Sequence, residues 1–131
     1  MRLLLVRHAE AAPGDPDELR RLTPNGLAQA RALGSRLRGD GLVPDAVLTS
    51  PLLRARETAE ALALGTPAVD NRLAPGATAA SVRDVVRGRG ETVLVVAHQP
   101  DCSRIAATLA DGPEPFFPPC GHAVLELEDE A

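Results

Sequence analysis

The chain has no lysine, tryptophan or tyrosine, a single methionine, two phenylalanines (Phe116 and Phe117) and two cysteines (Cys102 and Cys120) among 131 residues. Without lysine, all 14 basic residues are arginines. They face 18 acidic ones for a formal net charge of -4. That balance gives no general electrostatic drive toward nucleic acid or anionic lipid, so any anion must be held by a local cluster of arginines. The two cysteines are far apart and lack the CxxC spacing of a metal or redox site, which excludes a disulfide scaffold and reads as two reduced thiols in a cytosolic protein. Long hydrophobic runs are missing too. Leu3 to Val6 is too short for a signal peptide and is closed by Arg7-His8, and no stretch approaches a membrane span. The expectation is a soluble, cytoplasmic chain with neither a nucleic-acid nor a membrane partner. The scarcity of aromatics fits a GC-rich coding bias and says nothing about chemistry.

At 44% hydrophobic and 24% charged residues the composition is that of an ordinary globular protein. Its length suits one domain over residues 1–131, able to bury about two-thirds of its unfolded surface. Leu3 to Val6 and Thr92 to Ala97 are continuous apolar runs of the kind a strand buried on both faces shows; Ala46 to Thr49 is a weaker third. Between them lie helical patterns. Thr23-Pro24 reads as N-cap and first helical residue, with Leu27, Ala30, Leu33 and Leu37 at helical spacing until Gly39 and Gly41. Ser50-Pro51 reads the same way for a helix running from Leu52 to about Leu64, and two more helices are expected at about Thr78 to Arg87 and Asp101 to Ala110. A proline-rich loop (Pro113 to Pro119) then precedes an alternating edge or terminal strand, Ala123 to Leu127, and a frayed end from Glu128 to Ala131. Strands alternating with helices imply a mostly parallel sheet covered on both faces, a three-layer α/β/α fold.

Ligands of such sheets bind beyond the carboxyl ends of the strands. Arg7-His8 follows the first strand, His98 follows Ala97, and Arg54 lies just past the third strand. Two guanidinium forks and a helix N-terminus match the oxygens of a phosphoryl group. Positive neighbours disfavour an imidazolium, leaving a ring nitrogen free to attack phosphorus, so a phosphohistidine route needs no metal or other cofactor. The second histidine would then donate to charge developing in the transition state.

Four segments carry a resemblance: Leu5-Val6-Arg7-His8-Ala9-Glu10, Leu22-Thr23-Pro24-Asn25-Gly26, Thr49 to Ala59 (TSPLLRARETA) and Val96-Ala97-His98-Gln99-Pro100. Together and in this order they resemble the histidine phosphatase, or phosphoglycerate mutase-like, superfamily. With no inserted cap between Arg54 and His98, the chain is most similar to the small SixA-type phosphohistidine phosphatases. The resemblance implies that fold, His8 as nucleophile, and Arg7, Arg54 and His98 completing the phosphate pocket, with Arg20 matching a further arginine near the substrate in small members. It also exposes a departure. Larger members supply a general acid, usually Glu, from the segment after the helix read from Pro51, yet Ala68 to Gly76 holds only Asp70. An imidazole leaves readily where an alkoxide needs a proton, so the loss favours a phosphoramidate substrate. Asp17 is the best substitute acid.

The resulting expectation is a phosphorylated protein carrying phosphohistidine, or a small phosphorylated metabolite, as substrate. Two rivals remain: a metal site built from His8, His98, His122 and a cysteine, which lacks zinc-motif spacing and whose arginines would repel a cation, and a phospho-binding module, which would not need a nucleophile. Glu10 is read as hydrogen-bonding behind the nucleophile or as a loop carboxylate, Arg56 and Glu57 as packing or pairing on a helix surface, and His122 as a surface residue.

Overall fold

The computed structural model describes residues 1–128; residues 129–131, part of the expected frayed end, lie outside the described residues. The elements follow in the order β1 (Arg2–Arg7), α1 (Pro24–Gly39), β2 (Ala46–Thr49), α2 (Leu53–Leu62), β3 (Pro67–Val69), α3 (Ala79–Val86), β4 (Thr92–Ala97), α4 (Asp101–Ala110) and β5 (His122–Glu126), with short 3-10 turns at Asp17–Leu19 and Asn71–Leu73. The sheet runs β3-β2-β4-β1-β5. Its first four strands are parallel and β5 is antiparallel to β1.

Alternation along the strands explains the layering. Leu3, Leu5, Leu48, Val93 and Val95 pack against Val82, Val85 and Val86 of α3 and Ile105 of α4. Leu4, Val6, Val47, Leu94 and Val96 pack on the other face against Ala30, Leu33 and Leu37 of α1 and Ala55, Ala59 and Leu62 of α2. Burial on both faces is what a strand without polar alternation requires. The mostly parallel, three-layer α/β/α architecture is therefore observed, and α3 covers the sheet rather than the strand ends. Among the described residues no helix is long and apolar enough to cross a membrane.

Thr23 caps α1 as expected, accepting from the Gly26 amide at 2.9 Å with Pro24 in the first turn. Two glycines let that helix approach its neighbours, since a side chain at Gly26 would collide with the Glu10 carbonyl and one at Gly34 with the Leu62 carbonyl. Four readings need correction. Ser50 does not cap α2, which begins at Leu53 after an N-cap Leu52 that offers no side-chain acceptor. The Ser50 amide instead extends the sheet by donating to the Val96 carbonyl at 3.1 Å, which delays the helix. The same helix stops at Leu62 rather than near Leu64, because Ala63 adopts the left-handed conformation with φ 51°. Strand β3, three residues opening on a proline at the sheet edge, was not expected at all; the last strand is shifted by one residue.

Candidate active site

Strand pairing assembles the centre of the site. Arg7 of β1 pairs with Ala97 of β4, so the next residue on each strand, His8 and His98, become neighbours in space. The His8 amide donates to the Ala97 carbonyl at 3.0 Å, and the two ring centroids stand 5.2 Å apart. These strands lead into α1 and α4, which leave toward opposite faces of the sheet, and the crevice so formed is where ligands of open α/β sheets bind.

His8 places its Nδ1 2.7 Å from the Ala9 carbonyl. A carbonyl only accepts, so Nδ1 carries the proton and Nε2 keeps its lone pair. The ring is neutral at physiological pH: burial, followed by the charges of Arg54, Arg7 and Arg20, pushes its pKa down to about 4 against the pull of the Ala9 bond. Burial, then His8 and Arg54, push His98 down to about 3. His98 is held at Nε2, 2.7 Å from the Ser50 hydroxyl.

Arg7 donates from Nη1 to the Phe117 carbonyl at 3.0 Å. Phe117 is itself buried, anchoring the proline-rich loop so that this carbonyl is fixed. Arg54, at the second position of α2, is only 7% exposed; it donates to the Asp17 carbonyl at 2.9 Å and to the Asp17 carboxylate at 3.2 Å. Arg20 reaches the same carboxylate at 3.2 Å and the Ala12 carbonyl at 2.8 Å. The structure thus brings Arg7, His8, Arg54, His98, Arg20 and Asp17 to one end of the sheet. Hydrogen bonds from Arg20 and Arg54 hold Asp17 below the usual carboxylate range, as an ionised acceptor. Asp70 is taken up by Arg72, which donates to both of its oxygens.

The buried side-chain polar atoms without a partner among the described residues are Nε of Arg7, Nε of Arg54 and Nδ1 of His98. An orphaned buried polar atom costs about 1–3 kcal/mol, so three of them on neighbouring residues, two of them guanidinium N–H groups, point to a ligand site. The rival metal cluster does not assemble: among the described residues no group of three or more His, Cys, Asp or Glu could hold an ion. Burial raises Cys102 to about 12 and Cys120 to about 11, so both are inert thiols at neutral pH.

Residues 3–76 match the model of the histidine phosphatase superfamily (branch 1). The chain belongs to that superfamily. It is 31% identical to the phosphohistidine phosphatase SixA of Escherichia coli (strain K12) over 88% of this chain and 78% of that protein. An uncharacterized protein of Mycobacterium tuberculosis (strain ATCC 25618 / H37Rv) is 33% identical over 93% of this chain and 87% of its own length. The structure of the protein histidine phosphatase SixA complexed with tungstate superposes with a TM-score of 0.88 at 27% identity, covering 98% of this chain and 89% of that one. This histidine phosphatase is accordingly an enzyme that acts on a phosphorylated substrate, with the phosphoglycerate mutase-like fold. His98 falls outside the matched 3–76 segment, and its place in the site comes from the register of β1 on β4.

Around the site Thr58 escaped the sequence reading, while Glu57 and Glu10, read as pairing and hydrogen-bonding, do so with partners the sequence did not show. Thr58 accepts from the Ala9 amide at 3.0 Å and donates to the Arg54 carbonyl at 2.8 Å, tying the loop after His8 to α2. Glu57 accepts from the Leu22 amide at 2.9 Å as well as pairing with Arg21. Glu10 accepts from Thr23 and Asn25 at 3.1 and 2.9 Å and so fastens the same loop to the start of α1. The TSPL and RETA motifs contained the signal for Ser50 and Thr58, but the partners across the site, His98 and Ala9, lie tens of residues away.

Proposed function

We propose that this enzyme removes phosphoryl groups from protein phosphohistidine through a covalent intermediate on His8, without a metal. The observation that carries the reading is the pairing of a bare His8 Nε2 with three orphaned polar atoms on Arg7, Arg54 and His98. Nε2 forms a bond to phosphorus as the P–N bond of the substrate breaks, and the departing imidazole takes that electron pair and leaves neutral, its other nitrogen protonated. His8, now bearing phosphorus on Nε2 and a proton on Nδ1, is cationic, and the Ala9 carbonyl at 2.7 Å stabilises the charge. Arg7, Arg54 and His98 hold the three equatorial oxygens, supplying by fixed donors the charge that a metal supplies elsewhere. Water then forms a P–O bond, Nε2 recovers its pair, and phosphate leaves with one of the water's protons while the other passes to solvent. Arg20 flanks the pocket and holds Asp17.

Two features favour a protein substrate. The site lies at open strand ends, and Leu19 and Phe116, 60% and 82% exposed, sit on segments whose neighbours Asp17 and Phe117 touch the site arginines. Such an apolar rim has no use for a small metabolite and suits the surface around a phosphorylated side chain. The two unpaired thiols fit a cytoplasmic setting. The test is direct. Mixed with a phosphohistidine protein, the wild type is expected to trap acid-labile phosphate that His8→Ala does not, and to keep turning over in the presence of a chelator. A faster rate on sugar, nucleotide or glycolytic phosphates at equal concentration would move the substrate to a small phosphomonoester; phosphate trapped equally on His8→Ala would remove the intermediate.

A further inference from the structure

Ser50 is fully buried between β2 and α2. Its Oγ accepts from the Leu52 amide at 3.2 Å and lies 2.7 Å from His98 Nε2. The hydroxyl has one hydrogen, and among the described residues His98 Nε2 is the acceptor within its reach. A neutral ring carries one proton, so the direction of this bond decides which face of His98 is a donor.

We propose that Ser50 is a positioning residue that sets the tautomer of His98: its hydroxyl donates to Nε2, the ring proton sits on Nδ1, and this buried Nδ1–H is offered to an oxygen of the phosphoryl group. The opposite arrangement fails twice. With the proton on Nε2, the Ser50 hydrogen would be buried without an acceptor, and Nδ1 would turn a lone pair toward an oxyanion. Both costs point the same way, each comparable to an orphaned buried polar group. Leu52 contributes through its amide, which occupies one lone pair of Oγ and leaves the hydroxyl hydrogen directed at the ring. The ligand in this assignment rests on the phosphatase reading; the tautomer does not.

Long-range proton–nitrogen correlation spectra of histidine-labelled protein at pH 7, assigned with His98→Gln, report the tautomer directly. The wild type is expected to show Nδ1 protonated and Nε2 bare at His98, Ser50→Thr to retain that pattern, and Ser50→Ala to lose it. Affinity for inorganic phosphate should fall about tenfold or more in Ser50→Ala, the effect of misdirecting one hydrogen bond to a charged group, and recover in Ser50→Thr. An Nε2–H signal in the wild type overturns the proposal, even if Ser50→Ala does not fold; so does a Ser50→Ala variant with unchanged tautomer and phosphate affinity. A wild type with the expected tautomer that never carries phosphate on His8 supports the Ser50 assignment while the phosphatase mechanism falls.

Discussion

Replacing Thr58 by valine isolates one hydroxyl at the heart of the site's scaffolding. Thr58 is fully buried, and so is Ala9, whose amide it receives at 3.0 Å. Valine keeps the branched shape of threonine, and the Arg54 carbonyl keeps its partner four residues on in α2. The loss is therefore confined to one stranded amide, about 2 kcal/mol within the usual range for such groups. With a urea m-value of about 1.5 kcal/mol per molar, typical for a chain of this size, the unfolding midpoint should drop by about 1.3 M. Thr58→Ser keeps the hydroxyl and gives up one methyl, costing about 1 kcal/mol, so it should lie between wild type and valine. The chain has no tryptophan or tyrosine, so the transition is followed by far-ultraviolet circular dichroism rather than intrinsic fluorescence. Ala9 also supplies the carbonyl that takes the His8 Nδ1 proton; turnover by the valine variant should therefore fall even at temperatures where it is fully folded. A midpoint within 0.3 M of wild type, on the order of the precision of such measurements, or a serine variant less stable than valine, would refute the reasoning.

Acid should destabilise the unliganded enzyme early. The unfolded chain protonates His8 and His98 near pH 6.5 whereas the fold refuses those protons until about pH 4 and about pH 3; stability is full above 6.5 and each ring withdraws about 1.4 kcal/mol per pH unit as pH falls below it. Unfolding curves from pH 7 to 4 check this: the decline should be shallower in His98→Gln, and a flat wild-type profile would remove burial as the cause of the neutral rings. Asp17→Asn should leave kcat on a phosphoramidate intact, because the carboxylate is held ionised by Arg20 and Arg54; a loss of about a hundredfold or more confined to phosphoesters would make Asp17 the general acid instead. The double variant Leu19→Ser, Phe116→Ser should raise KM for a phosphohistidine protein several-fold and leave a small phosphoramidate unaffected, and equal changes on both would remove the docking rim.

The central pair was legible because the end of a strand is a one-dimensional fact. Arg7-His8 and Ala97-His98 each follow a doubly buried apolar run, and any parallel sheet directs both to the same side. That β4 lies beside β1 in this register was not in the sequence, since strand order depends on which helix goes to which face. Ser50 was misread for a physical reason as well: Ser-Pro before a leucine is a sound helix-start signal, and only the bond from its amide to Val96, a partner from a strand 46 residues away, keeps it in the sheet. Asp17 reads in sequence as a loop carboxylate free to carry a proton. Arg54, 37 residues on, removes that freedom. β3 left no signal because three residues opening on proline gain their structure from β2 alone.

The same burial that keeps His8 neutral makes the site expensive to build. Burial keeps the imidazoles neutral, and the same burial leaves Arg7 Nε, Arg54 Nε and His98 Nδ1 without a protein partner among the described residues. Such donors collapse onto the nearest acceptor unless their other atoms are pinned, and each is: Arg7 by the Phe117 carbonyl, Arg54 by Asp17, His98 by Ser50. The pins come from a loop anchored by a buried phenylalanine, a 3-10 turn and a strand end, so three separate elements hold the donors apart. In the proposed mechanism, binding an oxyanion satisfies all three at once, and the free energy forgone in folding is returned where charge develops on phosphorus.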